Sequence, residues 1–108
     1  MRLLALADSD DFRWTGPNTP VDVLVSCGDV YDELILDAAR CCSAGQVLAV
    51  KGNHDRAGPF PAPIIDVHLQ VVTLPGGCRV AGFNGCWRYK PRGHFLYGQA
   101  EAIELMRD

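Results

Sequence analysis

The stretch Gln46-Val47-Leu48-Ala49-Val50-Lys51-Gly52-Asn53-His54-Asp55 decides the fold. Its first half is a short apolar run and predicts a strand over Gln46–Lys51. Its second half turns polar at a glycine, which lets the backbone bend sharply and present the next side chains. Working back along the chain, Tyr31, Leu34, Ile35, Ala38 and Cys42 recur at three- and four-residue steps. That stripe predicts a helix over Asp29–Cys42 with one core face, stopped by Gly45. Ahead of it, Val21–Ser26 and Arg2–Ala7 read as two more strands, separated by a polar loop from Asp8 to Pro20. Neither alternates cleanly with polar residues, as expected of parallel strands covered on both faces. Strand, strand, helix, strand is the order of an α/β layer.

Downstream, Pro59, Pro61 and Pro63 exclude helix and central strand, so 58–63 is an irregular connection. His68–Leu74 and Cys78–Phe83 flank Pro75-Gly76-Gly77 and predict a hairpin. Asn84–Gly98 reads as loop and Gln99–Arg107 as a final short helix. The fold class is therefore α/β: parallel strands, one long helix, one short helix and a β-hairpin. The 108 residues suit a single domain, 1–108, without repeat, low-complexity tract or interdomain linker.

Ten basic against thirteen acidic residues give a net charge of -3. Nucleic-acid binding is not expected from that balance. The one early apolar run, Leu3–Ala7, is too short for a signal peptide or a membrane span. Five cysteines, an odd number without a CxxC pair, argue against a disulfide framework and for a reducing cytoplasm. No GxxxxGK[ST] or GxGxxG segment occurs, so a nucleotide-binding domain finds no support.

Three polar clusters each follow a strand: Asp8-Ser9-Asp10-Asp11, Gly28-Asp29 and Gly52-Asn53-His54-Asp55. Parallel strands put their carboxyl ends along one edge, where open α/β sheets bind ligands. Carboxylates gathered there would repel by roughly 4 kcal/mol per pair at an effective dielectric of about 20. A bound divalent cation is the expected remedy. Carboxylate, amide and imidazole donors suit Mn²⁺, Fe or Zn²⁺.

The ordered set of Asp8, Gly28-Asp29 and Gly52-Asn53-His54-Asp55, with twenty-odd residues between successive motifs, resembles the calcineurin-like metallophosphoesterases. The likeness covers only the first half of that family's domain, and implies half of its layered sandwich. It implies two metal ions, with Asp8 binding the first, Asp29 bridging both, and Asn53 binding the second. His54 would meet the substrate phosphate and protonate the leaving oxygen, with Asp55 orienting its imidazole. Asn53 would also contact the substrate. Two metals would acidify a shared water for in-line attack on a phosphomonoester or phosphodiester.

The chain departs from the family pattern in two places. The family's Asp-x-His is here Asp8-Ser9-Asp10, so Asp10 or Asp11 supplies an oxygen ligand, or the position is empty. The later Gly-His-x-His motif has no counterpart, since Gly93-His94 is followed by Phe95-Leu96. Arg88, in Trp87-Arg88-Tyr89-Lys90, is a candidate phosphate contact at the rim. His68, at the start of a strand, reads as structural.

The last helix leaves Ile103 and Met106 without an expected strand to cover them, and the sheet is short of helices. An exposed sheet face is expected, to be buried by a second copy or by a missing remainder. A homodimer of halves would imitate the family's paired layers. The alternative to hydrolysis is thus a truncated, non-catalytic half-domain that assembles as a homo-oligomer, with or without bound metal.

Overall fold

The computed structural model describes residues 1–107. A four-stranded, all-parallel sheet forms from β1 (Leu3–Leu6), β2 (Val23–Ser26), β3 (Gln46–Ala49) and β4 (Ile65–Asp66), in that order. Helix α1 (Asp32–Cys41) links β2 to β3. An antiparallel hairpin follows, β5 (Val71–Thr73) with β6 (Arg79–Ala81), and then a parallel pair, β7 (Cys86–Trp87) with β8 (Leu96–Tyr97). Helix α2 (Gln99–Met106) comes last. This is a small α/β fold with a parallel sheet and two helices.

Leu24, Val47 and Ala49 meet Leu34, Ile35 and Ala38 of α1 on one side of the sheet. On the other side, Val23 and Leu48 meet Val67 and Leu74, with Val72 and Val80 of the hairpin packed against them. The second face is therefore covered over β2 and β3, while at the edge strand β1 Leu3 and Ala5 stay exposed, so the expected open face is narrowed to that edge. Hairpin side chains do the work that a helix layer does in larger parallel sheets. Apolar side chains left in water include Leu3 and Ile65 on the edge strands and, further out, Leu69, Val71, Ile103, Leu105 and Met106.

Two further differences have local causes. Asp29 adopts a left-handed φ of 56°, so α1 begins only at Asp32, with Tyr31 as its extended N-cap. Tyr31 therefore stands outside the helical stripe and is exposed. In the segment expected to be loop, Cys86 pairs with Leu96 and Trp87 with Tyr97. Two-residue strands are too short for any periodicity to reveal. Buried Asn84 accepts the Tyr97 hydroxyl at 2.6 Å and donates its backbone N–H to Nδ1 of His68 at 2.9 Å. Burial pushes the Tyr97 hydroxyl above its ordinary pKa.

The long loop between β1 and β2 is tied to α1. The Trp14 backbone N–H donates to Oδ2 of Asp37 at 2.8 Å, and Trp14 packs on the helix-side core. That hydrogen bond, and the neighbouring Arg40 guanidinium, hold the Asp37 carboxyl below its usual range. All five cysteines are free thiols. Among the described residues no helix is long and apolar enough to cross a membrane.

A carboxyl whose folded pKa is depressed adds stability that is complete above its ordinary pKa and fades as pH falls through the lowered value. The urea midpoint of the wild type should therefore drop on acidification below about pH 4. Asp37→Asn should start lower at neutral pH and show a smaller acid drop. Parallel curves for the two proteins would remove Asp37 as the cause.

Candidate functional site

Register brings the site together. Leu6 of β1 pairs with Ser26 of β2, which pairs with Ala49 of β3. The three strands end level, so the segments after them emerge at one edge. They are then stitched to one another. The backbone N–H of Asp8 donates to the Gly28 carbonyl at 3.1 Å, and that of Ser9 to the Asp29 carbonyl at 3.0 Å. The His54 N–H donates to Oδ1 of Asp29 at 2.9 Å. Oδ2 of Asp55 accepts two backbone N–H groups, from Asp29 at 2.9 Å and from Gly52 at 2.7 Å.

These contacts explain the two glycines. Gly28 has φ +109°, a conformation other residues rarely adopt. A Cβ on Gly52 would collide with Asp29, lying 2.6 Å from its Cγ. The loop of 52–55 can approach Asp29 this closely only without a side chain there. Asp8, at φ 53°, and Asp29 are themselves left-handed, which short polar side chains tolerate better than most.

Asp8, Ser9, Asp10, Asp29, Tyr31, His54 and Asp55 line a cleft of about 310 Å³. Five of the residues expected at the site thus share one cavity: Asp8, Asp10, Asp29, His54 and Asp55. Asn53 does not line it; its amide nitrogen donates to the Tyr89 hydroxyl at 3.0 Å. Arg88 lies elsewhere as well, with its guanidinium on the Leu96 carbonyl at 3.0 Å and on Glu101 at 3.2 Å. Glu101 also accepts the Gly98 backbone N–H, and these two contacts hold its carboxyl below the usual range. Asp55 departs from its expected part too. Among the described residues no hydrogen bond joins its carboxylate to the His54 ring, and its Oδ2 is committed to two backbone amides instead.

Tyr31 is the cleft residue that helical periodicity misassigned, since the stripe placed it in the core. Lys51 also escaped the sequence. Almost fully buried, its ammonium sits 3.9 Å from Oδ1 of Asp32 and 4.1 Å above the Phe60 ring. It props the start of α1 against the end of β3. Its carbonyl accepts the Gly85 N–H at 2.7 Å, binding the 84–98 segment to the same loop.

The donors fit a hard or borderline divalent cation in kind: carboxylates and an imidazole around one cavity. Among the described residues, Asp8, Asp10 and Asp29 form no ion pair with lysine or arginine. The same residues include no group of three His, Cys, Asp or Glu side chains drawn together to hold an ion. Water tempers the expected repulsion, because Asp8 and Asp10 are exposed. At a dielectric near that of water, a pair of unit charges costs about 1 kcal/mol rather than 4. The chain matches no protein-family model, no curated protein and no solved structure.

Asp55 is the anchor to test. Asp55→Ala strands two backbone donors and should lower unfolding free energy by about 3 kcal/mol, with Asp55→Asn losing less. Urea denaturation measures both. An alanine variant within about 0.5 kcal/mol of wild type would show that the two loops hold together without it.

Proposed function

We propose that this chain is a metallophosphoesterase-like half-domain that hydrolyses a phosphomonoester or phosphodiester with divalent cations, two ions of Mn, Fe or Zn. The observation that carries this reading is the level ending of β1, β2 and β3, which delivers Asp8, Asp29 and the 52–55 loop to one cleft. The resemblance of the three motifs to the calcineurin-like enzymes supports it. The free thiols suit a reducing compartment such as the cytoplasm.

Asp8, Asp10 and Asp29 would hold the cations through carboxylate oxygens. The resemblance would add the Asn53 amide oxygen, and that side chain, which lies outside the cleft with its nitrogen on Tyr89, would have to turn to reach them. When bound, the cations supply Lewis acidity, which acidifies water and offsets charge on the phosphoryl oxygens. The chain's own residues do the rest. Asp55 and Gly52 fix the backbone of the loop, so His54 stands at the cleft and at the smaller pocket beside it. In hydrolysis the water oxygen bonds to phosphorus as the ester P–O bond breaks, and the electron pair leaves on the ester oxygen. His54 gives that oxygen a proton and regains one from the water, so charge and protons balance.

Purified protein in Mn²⁺ should hydrolyse nitrophenyl phosphate, and a chelator should stop it. His54→Ala should lower kcat/KM by at least about 100-fold. Asp29→Asn should do the same while keeping an oxygen to accept the His54 N–H. Unchanged rates in both variants would end the catalytic reading.

A second reading, a non-catalytic module that self-associates, is favoured by a different observation. An open apolar groove of about 720 Å³ runs between the hairpin and α2, lined by Leu69, Val71, Phe83, Leu105 and Met106 among others. Covering such surface is favourable at about 25 cal/mol per Å². Light scattering should then report twice the chain mass, and Leu105→Glu should return it to one. A monomer at high concentration would exclude this reading.

A further inference from the structure

The Phe12 and Tyr31 rings stack on one another beside the cleft, centroids 4.3 Å apart and planes inclined by 19°. Both are substantially exposed, Phe12 at 56% and Tyr31 at 39%, and neither belongs to the two core clusters. The fold does not need these rings for its core. Tyr31 lines the cleft together with Asp8, Asp10, Asp29 and His54, and it also borders the smaller pocket with His54 and Asp55. Phe12 is not part of the cleft wall; it backs the tyrosine. The extended N-cap backbone of Tyr31 and the stacked Phe12 together restrict where that ring can go. Among the described residues no hydrogen bond engages its hydroxyl, so no polar contact fixes the ring.

We infer that Tyr31, backed by Phe12, is a stacking platform that selects phosphoesters whose leaving group carries a flat aromatic ring, either a simple aryl group or a nucleobase. The inference rests on the phosphoesterase reading for the role of the remaining cleft residues and adds to it the class of substrate. The phosphoryl end of such an ester belongs beside His54 and the aspartates, where charge and donors lie. The leaving group then needs an apolar surface at the same cavity, and Tyr31 is the aromatic residue of the cleft wall. Aromatic stacking is tolerant of the ring's identity and geometrically specific, because quadrupoles favour offset or tilted faces. A flexible alkyl leaving group gains little from that surface. Preference for aromatic over alkyl esters is the consequence.

Non-hydrolysable phosphonates separate binding from turnover. Calorimetric titration in Mn²⁺ should show phenylphosphonate binding the wild type about tenfold more tightly than methylphosphonate, the scale of one stacked ring. Tyr31→Ala should shrink that ratio below about twofold, and Tyr31→Phe should keep it. Because the ratio is taken within one protein, a general loss of affinity in a variant does not imitate the effect. The phosphonate analogue of adenosine monophosphate distinguishes a nucleobase from a simple aryl group: tighter binding than phenylphosphonate assigns the nucleobase. Equal affinity of wild type for phenyl- and methylphosphonate overturns the platform while leaving hydrolysis intact. A Tyr31→Ala protein that keeps the full ratio overturns it equally. Aromatic preference without turnover of nitrophenyl phosphate would instead sink the phosphoesterase reading and leave the platform standing. Binding of none of the three phosphonates would sink both.

Discussion

One oxygen of Asp55, taking backbone N–H groups from Asp29 and Gly52, is the contact on which the cleft depends. It joins the loop after β2 to the loop after β3, segments more than twenty residues apart in the chain. Each such charge-assisted hydrogen bond contributes about 1.5–3 kcal/mol. Ordering a residue costs about 1–2 kcal/mol in backbone entropy, so two bonds offset the ordering of only a few residues. The anchor suffices because the parallel register has already delivered the loops to the same edge. Asp29 completes the exchange by accepting the His54 N–H, so each loop holds the other.

The same anchor changes how the acidic residues are to be understood. A carboxylate facing two amides is structural, and its charge is spent on the backbone. The carboxylates that remain for a ligand are those of Asp8, Asp10 and Asp29, which share one cleft. Exposure lowers the cost of their shared sign, so the fold can stand with these side chains apart. A cation would then act as a ligand to an existing cleft rather than as the condition for its formation.

The outer elements extend this arrangement. Lys51 bridges the end of β3 to the start of α1 through Asp32 and Phe60, and its carbonyl receives the Gly85 amide. Tyr89 reaches Asn53, while Tyr97, Asn84 and His68 run as a hydrogen-bonded chain from β8 back toward the hairpin. The segment 84–98 is therefore fastened to the site loop at several points. His68 acts there as an acceptor for a backbone amide.

The sequence by itself determined the elements whose burial leaves a pattern. Apolar runs marked β1, β2 and β3, a helical stripe marked α1, Pro75-Gly76-Gly77 marked the hairpin turn, and the polar clusters at strand ends marked the cleft. Only tertiary structure decided the rest. Strands of two residues, β4, β7 and β8, exist because a neighbour offers hydrogen bonds, and no periodicity records that. Periodicity placed Tyr31 in the core, but the left-handed turn at Asp29 delays the helix and turns that ring to the cleft. Asp55 resembles an imidazole partner when only its neighbour His54 is considered, yet its oxygen meets amides from two loops. Arg88 resembles a phosphate contact until Leu96 and Glu101 are seen to hold it. In each case a local pattern reports what a side chain can do, and the choice among those abilities belongs to groups distant in the chain that folding brings into contact.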